Sequence, residues 1–367
     1  MNEGRSNARN GKIRVVVGED SPLIRTMIVN ALESDPEIKV VGHGSDGRAV
    51  LKSVAELKPD CITLDLEMPR MDGLETLRYI MSEWPTPVVI VSGYSAVGAN
   101  LAITCLEYGA VDFVAKTGGG KRFPAEELIA KVKAAASVDV GRMRFAHSEI
   151  EIGAKQRKAF ASSLGSVVVI GASTGGPQAL MEIIPKLPRD IPAGIVIVQH
   201  MPPNFTSYLA ERLDARSHLD IHEAKEGDAI LPGRALVAPG GKHLFLEERD
   251  QCPCVMILEK NALQRTACPS IDFAMTSFVP IFRERLIGVI LTGMGRDGAA
   301  GSAAIHLYGG KTICQDKESS LIYGMPGSVI GNNLADEVCP LGEIADCIIR
   351  NVREIGMREP VYERERL

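Results

Sequence analysis

Short aliphatic and β-branched runs recur along this chain, each followed by a polar or glycine-rich break and then an amphipathic stretch. Ile13-Arg-Val-Val-Val17, Ile38-Lys-Val-Val41, Cys61-Ile-Thr-Leu64, Val88-Val-Ile-Val91 and Val111-Asp-Phe-Val114 form a first series. Val167-Val-Val-Ile170, Ala193 to Gln199 and Leu286 to Leu291 form a second. Runs this short, bounded by turn residues, read as strands buried on both faces of a parallel sheet, with the intervening helices covering it. The expected class is α/β. A doubly wound, flavodoxin-like N-terminal domain of strand order 2-1-3-4-5 precedes a second parallel-sheet α/β domain.

Three strand ends in the second series carry chemistry. The first runs into Gly171-Ala-Ser173-Thr-Gly175, a G-x-S-x-G pattern in which small neighbours allow a sharp strand-to-helix turn that exposes a hydroxyl. By itself this pattern also fits a phosphate cradle or a plain tight turn. Gln199 leads directly into His200, and Leu291 opens into Thr292-Gly-Met-Gly-Arg-Asp297-Gly298. Open α/β sheets form their sites at the carboxyl ends of strands. A serine, an imidazole and a carboxylate there match the needs of nucleophilic acyl transfer: a nucleophile, a base, and a group that orients the base. Their order, Ser173, His200, Asp297, differs from that of ordinary α/β-hydrolases.

The first series carries acids. Glu19 and Asp20 follow its first strand, Asp65 its third, Ser92 ends its fourth and Lys116 follows its fifth. Carboxylates converging on one sheet edge repel unless a hard cation sits among them, and Mg²⁺ suits oxygen ligands and a phosphoryl group. Asp65 is then the candidate acyl-phosphate acceptor, with Lys116 and the Ser92 hydroxyl reading the phosphoryl oxygens. The plain alternative is a set of unrelated charges capping loop–helix junctions, as Asp20-Ser21-Pro22 could.

Composition limits the alternatives. The chain has 367 residues, 45% hydrophobic and 24% charged, with a net charge of −5, so it has the size of two or three domains and no electrostatic case for nucleic acid. The first fourteen residues are polar and lack an apolar core, and no apolar run reaches the ~20 residues of a membrane span, so a cytoplasmic protein without direct membrane insertion is expected. Among eight cysteines only Cys252-Pro-Cys254 is close-set, and the second ligand pair of a zinc site is missing.

Residues 12–136 resemble a response-regulator receiver domain, on Glu19-Asp20, Leu64-Asp65-Leu-Glu-Met-Pro69, Ser92 and Lys116. Residues 167–355 resemble the methylesterase domain of the chemotaxis protein-glutamate methylesterase (CheB) family. The matching runs include Gly171 to Pro177, Gln199-His200-Met-Pro202, Ala238 to His243, Pro269-Ser270-Ile-Asp272, Leu291 to Ala299 and Tyr323-Gly-Met-Pro326. Residues 137–166 are left as an interdomain linker. The resemblance implies phosphorylation at Asp65, Mg²⁺ held by Glu19, Asp20 and Asp65, a switch hydroxyl at Ser92, and a catalytic triad of Ser173, His200 and Asp297. It implies hydrolysis of glutamate methyl esters on the cytoplasmic domains of methyl-accepting chemoreceptors to glutamate and methanol, with deamidation of receptor glutamines. The implied phosphodonor is the histidine kinase CheA, and the receiver is implied to obstruct the esterase until phosphorylated.

Two sequence departures bear on the receiver. Lys116 precedes Thr117-Gly118 where the family usually has proline, and Phe113 fills an aromatic position without a hydroxyl. For the oxyanion, backbone N–H groups near Ser173–Thr174 and in the Met294 loop are the candidates, with Thr174 open between bonding near the histidine and capping the next helix. His243 is a candidate for lining the cleft, and Asp272 for N-capping or loop bracing.

Overall fold

The computed structural model describes residues 11–93, 95–116, 123–142, 164–249, 252–259 and 267–357. The first ten residues, most of the linker, the loop after Lys116 and the charged tail from 358 lie outside them. The chain divides into two compact units, Met1–Phe145 and Ala146–Leu367.

In the first unit, strands β1 (Ile13–Gly18), β2 (Ile38–Gly44), β3 (Cys61–Leu64), β4 (Val88–Ser92) and β5 (Asp112–Ala115) alternate with helices α1 (Pro22–Glu33), α2 (Gly47–Leu57), α3 (Gly73–Glu83), α4 (Ala96–Glu107) and α5 (Ala125–Ala136). All pairings are parallel, in the order β2-β1-β3-β4-β5 expected from the sequence. Side chains start the helices: Ser21, Asp46, Asp72 and Ser95 accept from Ile24, Ala49, Glu75 and Gly98 N–H, each satisfying an orphan donor of a first turn. β2 runs three residues beyond the expected Val41. A register shift between Val15 and Val16 brings Gly42, His43 and Gly44 opposite Val16–Gly18, a pairing that glycine's low strand propensity hides.

The second unit opens with β6 (Ser166–Ala172), α6 (Gly176–Ile183), β7 (Ala193–Gln199), α7 (Phe205–Arg216), β8 (Asp220–Glu223) and β9 (Arg234–Val237). A hairpin of β10 (Lys242–Arg249) and β11 (Cys252–Glu259) follows, then α8 (Ile271–Phe282), β12 (Leu286–Ile290), α9 (Ala299–Leu307), β13 (Lys311–Gln315), α10 (Gly324–Gly331), β14 (Glu337–Cys339) and α11 (Ile344–Gly356). Seven strands pair in the order β14-β13-β12-β6-β7-β9-β8, all parallel. Residues 235–257 read in sequence as one strand-and-turn insertion; instead β9 belongs to the main sheet beside β7, and among the described residues it is the β10–β11 hairpin that stands apart. A four-residue strand beside a longer hairpin carries too little pattern to be told from it.

β6, β7 and β12 are buried along their whole length, and Val167, Val169, Val196, Val198 and Ile290 join Met275, Phe278 and Phe282 of α8 in one core. From β6 the sheet grows to β7 on one side and to β12 on the other. Their carboxyl ends therefore diverge around a switch point, where a crevice opens.

Candidate active site

Ser173, His200 and Asp297 leave the carboxyl ends of β6, β7 and β12, and the fold brings them together. His200 Nδ1 lies 3.2 Å from Ser173 Oγ, and His200 Nε2 lies 2.8 Å from Asp297 Oδ2. With its proton on Nε2 the imidazole donates to the carboxylate and leaves Nδ1 to accept from the hydroxyl. The two ring nitrogens thus serve in the reverse sense to chymotrypsin-type proteases.

Backbone contacts fix the serine. Its N–H donates to Thr292 O at 3.1 Å, and its carbonyl accepts from Gly176 N–H at 2.7 Å, closing the turn into α6. Gly175 takes φ +78°, and a Cβ on Gly293 would lie 2.7 Å from the Ser173 Cβ and 2.4 Å from Met325 Sδ. The elbow thus needs glycine once for its dihedral and once for room. His200 N–H donates to Ala172 O at 3.1 Å, setting the imidazole beside the Ser173 hydroxyl.

Asp297 is held by a helix start. Oδ2 accepts from Ile271 N–H at 2.8 Å and Oδ1 from Asp272 N–H at 2.8 Å, both in the first turn of α8, and Ser270 Oγ donates to Oδ1 at 3.3 Å. Burial pushes this carboxyl up, but His200 and the α8 N–H groups outweigh it and hold Asp297 below the ordinary aspartate range. Asp272 moves the other way: burial and the neighbouring Asp297 raise it, despite N–H bonds from Gly301 and Gly298. Asp272 therefore braces the loop after β12, and the N-cap of α8 is Ser270, whose Oγ accepts from Phe273 N–H.

The lesser candidates sort as follows. His243 is fully buried and its Nδ1 accepts from Ser270 N–H at 3.2 Å, so it supports the cap and does not line an open cleft. Thr174 is buried, its carbonyl accepts from Thr292 Oγ1 at 3.0 Å, and the N-cap of α6 is Gly175, with no side-chain cap bond. Met294 is half-buried on the loop between β12 and α9. Because Ser173 N–H is engaged by Thr292, the oxyanion expectation narrows to the turn after Ser173 and the Met294 loop. Two buried glutamines were not foreseen. Gln199 Nε2 donates to the carbonyls of Ser173 and His200, and Gln315 Oε1 accepts from Thr292 N–H. Their only sequence signal is a polar residue ending an apolar strand.

In the first unit, carboxylate oxygens of Glu19, Asp20 and Asp65 lie within 4.8 Å of one another. Lys116 Nζ sits 2.8 Å from both Glu19 Oε2 and Asp65 Oδ2. Burial raises the Glu19 carboxyl despite the lysine, with Asp65 adding to the rise. Ser92 is buried, donating to Gly98 O at 3.3 Å, and its carbonyl accepts from Lys116 N–H at 2.6 Å. Three hard oxygen donors beside one ammonium fit a divalent cation that keeps waters.

A family model described as CheB methylesterase matches residues 168–348, and one for the response regulator receiver domain matches residues 15–133. A protein-glutamate methylesterase/protein-glutamine glutaminase of Symbiobacterium thermophilum is 45% identical over 93% of this chain and 98% of its own length. The chain belongs to the CheB methylesterase family. A CheB-family relative of the same description from Pyrococcus abyssi is 42% identical over 94% of this chain and 95% of its own. The crystal structure of the Thermotoga maritima CheB methylesterase catalytic domain is 44% identical, with a TM-score of 0.49, covering 51% of this chain and 98% of that one. Ser173, His200 and Asp297 all fall inside the CheB methylesterase match, and Glu19, Asp20, Asp65, Ser92 and Lys116 inside the receiver match. No helix among the described residues is long and apolar enough to cross a membrane.

Proposed function

We propose that this protein hydrolyses glutamate methyl esters on chemoreceptor cytoplasmic domains, and deamidates receptor glutamines, under control of phosphorylation at Asp65. The observation that carries the reading is the continuous line from Ser173 Oγ through the His200 ring to Asp297 at the sheet's switch point.

Ser173 Oγ attacks the side-chain carbonyl while His200 Nδ1 takes its proton. Asp297, accepting from Nε2, offsets the imidazolium charge without itself taking the proton. Backbone N–H groups of the Thr174 turn and the Met294 loop are assigned to the oxyanion. His200 gives that proton to the leaving oxygen or nitrogen as its bond to the carbonyl carbon breaks, forming methanol or ammonia. Water then attacks the acyl carbon while His200 takes its proton; the bond to Ser173 Oγ breaks, His200 returns the proton to Oγ, and glutamate is freed.

In the receiver, Glu19, Asp20 and Asp65 would hold Mg²⁺, which when bound offsets charge on the entering phosphoryl group. Asp65 accepts that group from a histidine kinase, CheA in this family. Lys116, freed from its carboxylates, and the Ser92 hydroxyl then read the new oxygens, and the esterase is released from inhibition. Both partners place this work in the cytoplasm.

The test is methanol release from a methylated chemoreceptor fragment, with and without a small phosphodonor and Mg²⁺, for wild type and Asp65→Asn. Stimulation of the wild type alone is expected. Equal stimulation of Asp65→Asn would contradict the assigned phosphorylation site, and no methanol from folded wild type with its cognate receptor would contradict the activity.

A further inference from the structure

Two cysteines outside the active site face each other in the last layer of the second unit. Cys339 ends the edge strand β14, Cys347 lies on the buried face of α11, and their sulfurs are 2.7 Å apart. Both are nearly fully buried. Their approach is fixed by neighbours. Glu337, two residues before Cys339, accepts from Asn351 Nδ2 at 2.7 Å and pairs with Arg350, so two side chains of α11 clamp the helix to the strand. Asn351 also donates to Cys347 O at 2.9 Å, and Arg350 Nη2 reaches Cys347 Sγ at 3.6 Å. The edge strand is registered in turn by Asp316 N–H, which donates to Cys339 O at 2.9 Å.

Glu337, Cys339 and Cys347 could also be read as metal ligands, since their donor atoms cluster. A tetrahedral thiolate centre with metal–sulfur bonds of about 2.3 Å holds its sulfurs roughly 3.7 Å apart. The observed separation is about 1 Å too short for that, whereas a disulfide of about 2.05 Å needs a smaller movement of the opposite sign. We propose that Cys339 and Cys347 form an oxidative modification site, closing an intramolecular disulfide on reaction with a peroxide.

The sulfurs differ in their surroundings. Burial and the neighbouring sulfur push the Cys339 thiol up to about 12, so Cys339 keeps its proton. Cys347 Sγ is the sulfur that the Arg350 guanidinium touches, and on that contact it is assigned as the attacking group. The Cys347 thiolate attacks one peroxide oxygen and the O–O bond breaks, leaving Cys347 as a sulfenic acid and releasing hydroxide, which becomes water on protonation. Cys339 sulfur then attacks Cys347 sulfur, the S–O bond breaks, and the Cys339 proton leaves with the hydroxyl as a second water. In sum, two thiols and one hydrogen peroxide give one disulfide and two waters.

Cleavage after Lys317 and Arg350 releases residues 318–350 as one tryptic peptide with these two cysteines and no others. The full chain is treated with hydrogen peroxide, quenched with iodoacetamide under denaturing conditions, digested and weighed. We expect the peptide about 2 Da light and unalkylated in the wild type, reverting to two alkylatable thiols after reduction. In Cys339→Ser, Cys347 is expected to trap dimedone as the stranded sulfenic acid. Two alkylatable thiols persisting while Cys252, Cys254 or Cys268 oxidise would overturn the proposal. So would oxygen added to either sulfur without loss of hydrogen. Because the decisive readout is on wild type, a misfolded variant leaves it intact.

Discussion

Asp272 and Asp297 cap each other's helices. Asp297 lies just before α9 and accepts the Asp272 and Ile271 N–H groups that open α8; Asp272, in the first turn of α8, accepts the Gly298 and Gly301 N–H groups that open α9. Each carboxylate sits at the positive end of the other's helix. Asp297, on the loop between β12 and α9, is thereby held against the first turns of two helices.

Asp272→Ala strips both α9 donors of their acceptor and is expected to destabilise the second unit by about 2–4 kcal/mol. By loosening the Asp297 loop it should also lower kcat at least about tenfold. Asp272→Asn keeps an acceptor oxygen and should recover most of both losses. Urea unfolding with methanol release checks the pair, and an equal loss in both variants would show that the brace is not a hydrogen-bonding one.

The two carboxyls make opposite pH contributions. Asp297 is held below its unfolded value, so the stability it supplies is present above the ordinary aspartate range and is lost as pH falls through its lower folded value. Asp272 is raised, so what it supplies is present at low pH and lost as pH rises through its folded value. Removing the imidazole in His200→Ala takes away the largest influence that lowers Asp297 and leaves burial opposed by the α8 N–H groups alone. That variant should lose about 1–2 kcal/mol near neutrality and begin its acid loss at higher pH. Unfolding free energy followed across the acid range measures this, and an unshifted acid limb would contradict the assignment.

Gly293→Ala places a methyl against the Ser173 Cβ and Met325 Sδ. Overpacking of about 1–3 kcal/mol is expected. Displacing Ser173 from His200 should cost a further 10- to 100-fold or so in kcat, with KM little changed. A wild-type kcat would mean that the turn relaxes away from the serine.

In the receiver, Glu19 is a buried carboxylate raised by burial and by Asp65, so its ionisation costs stability at neutral pH. Glu19→Gln mimics the protonated form. It should stabilise the first unit by about 1 kcal/mol near neutrality, with the gain vanishing at low pH, where the wild type is protonated as well. The same change removes a hard ligand, so Mg²⁺ affinity should fall. Thermal unfolding with and without Mg²⁺ reads both effects.

Much of this was legible because strand ends in parallel sheets are marked by abrupt changes of residue type. The glycines around Ser173 could be misread alone, but Ser173, His200 and Asp297 each follow an apolar run, and the order of the first sheet followed from five βα units. What sequence did not show are bonds between distant backbone and side-chain groups. Nothing local marks Asp297 as the ligand of a helix start 25 residues earlier, His243 as the support of Ser270, or Gln199 and Gln315 as bridges behind the serine. Strand β9 was lost for another reason: four residues show no period that separates a sheet member from the hairpin after it.

The central claim is that Ser173 is the nucleophile of a protein-side-chain esterase. Its most direct measurement is methanol release from a methylated chemoreceptor fragment by wild type and Ser173→Ala, with folding of both verified by urea unfolding. The account predicts a loss of about 10⁴-fold or more with stability changed by less than about 0.5 kcal/mol. Release by folded Ser173→Ala within about tenfold of wild type would contradict it.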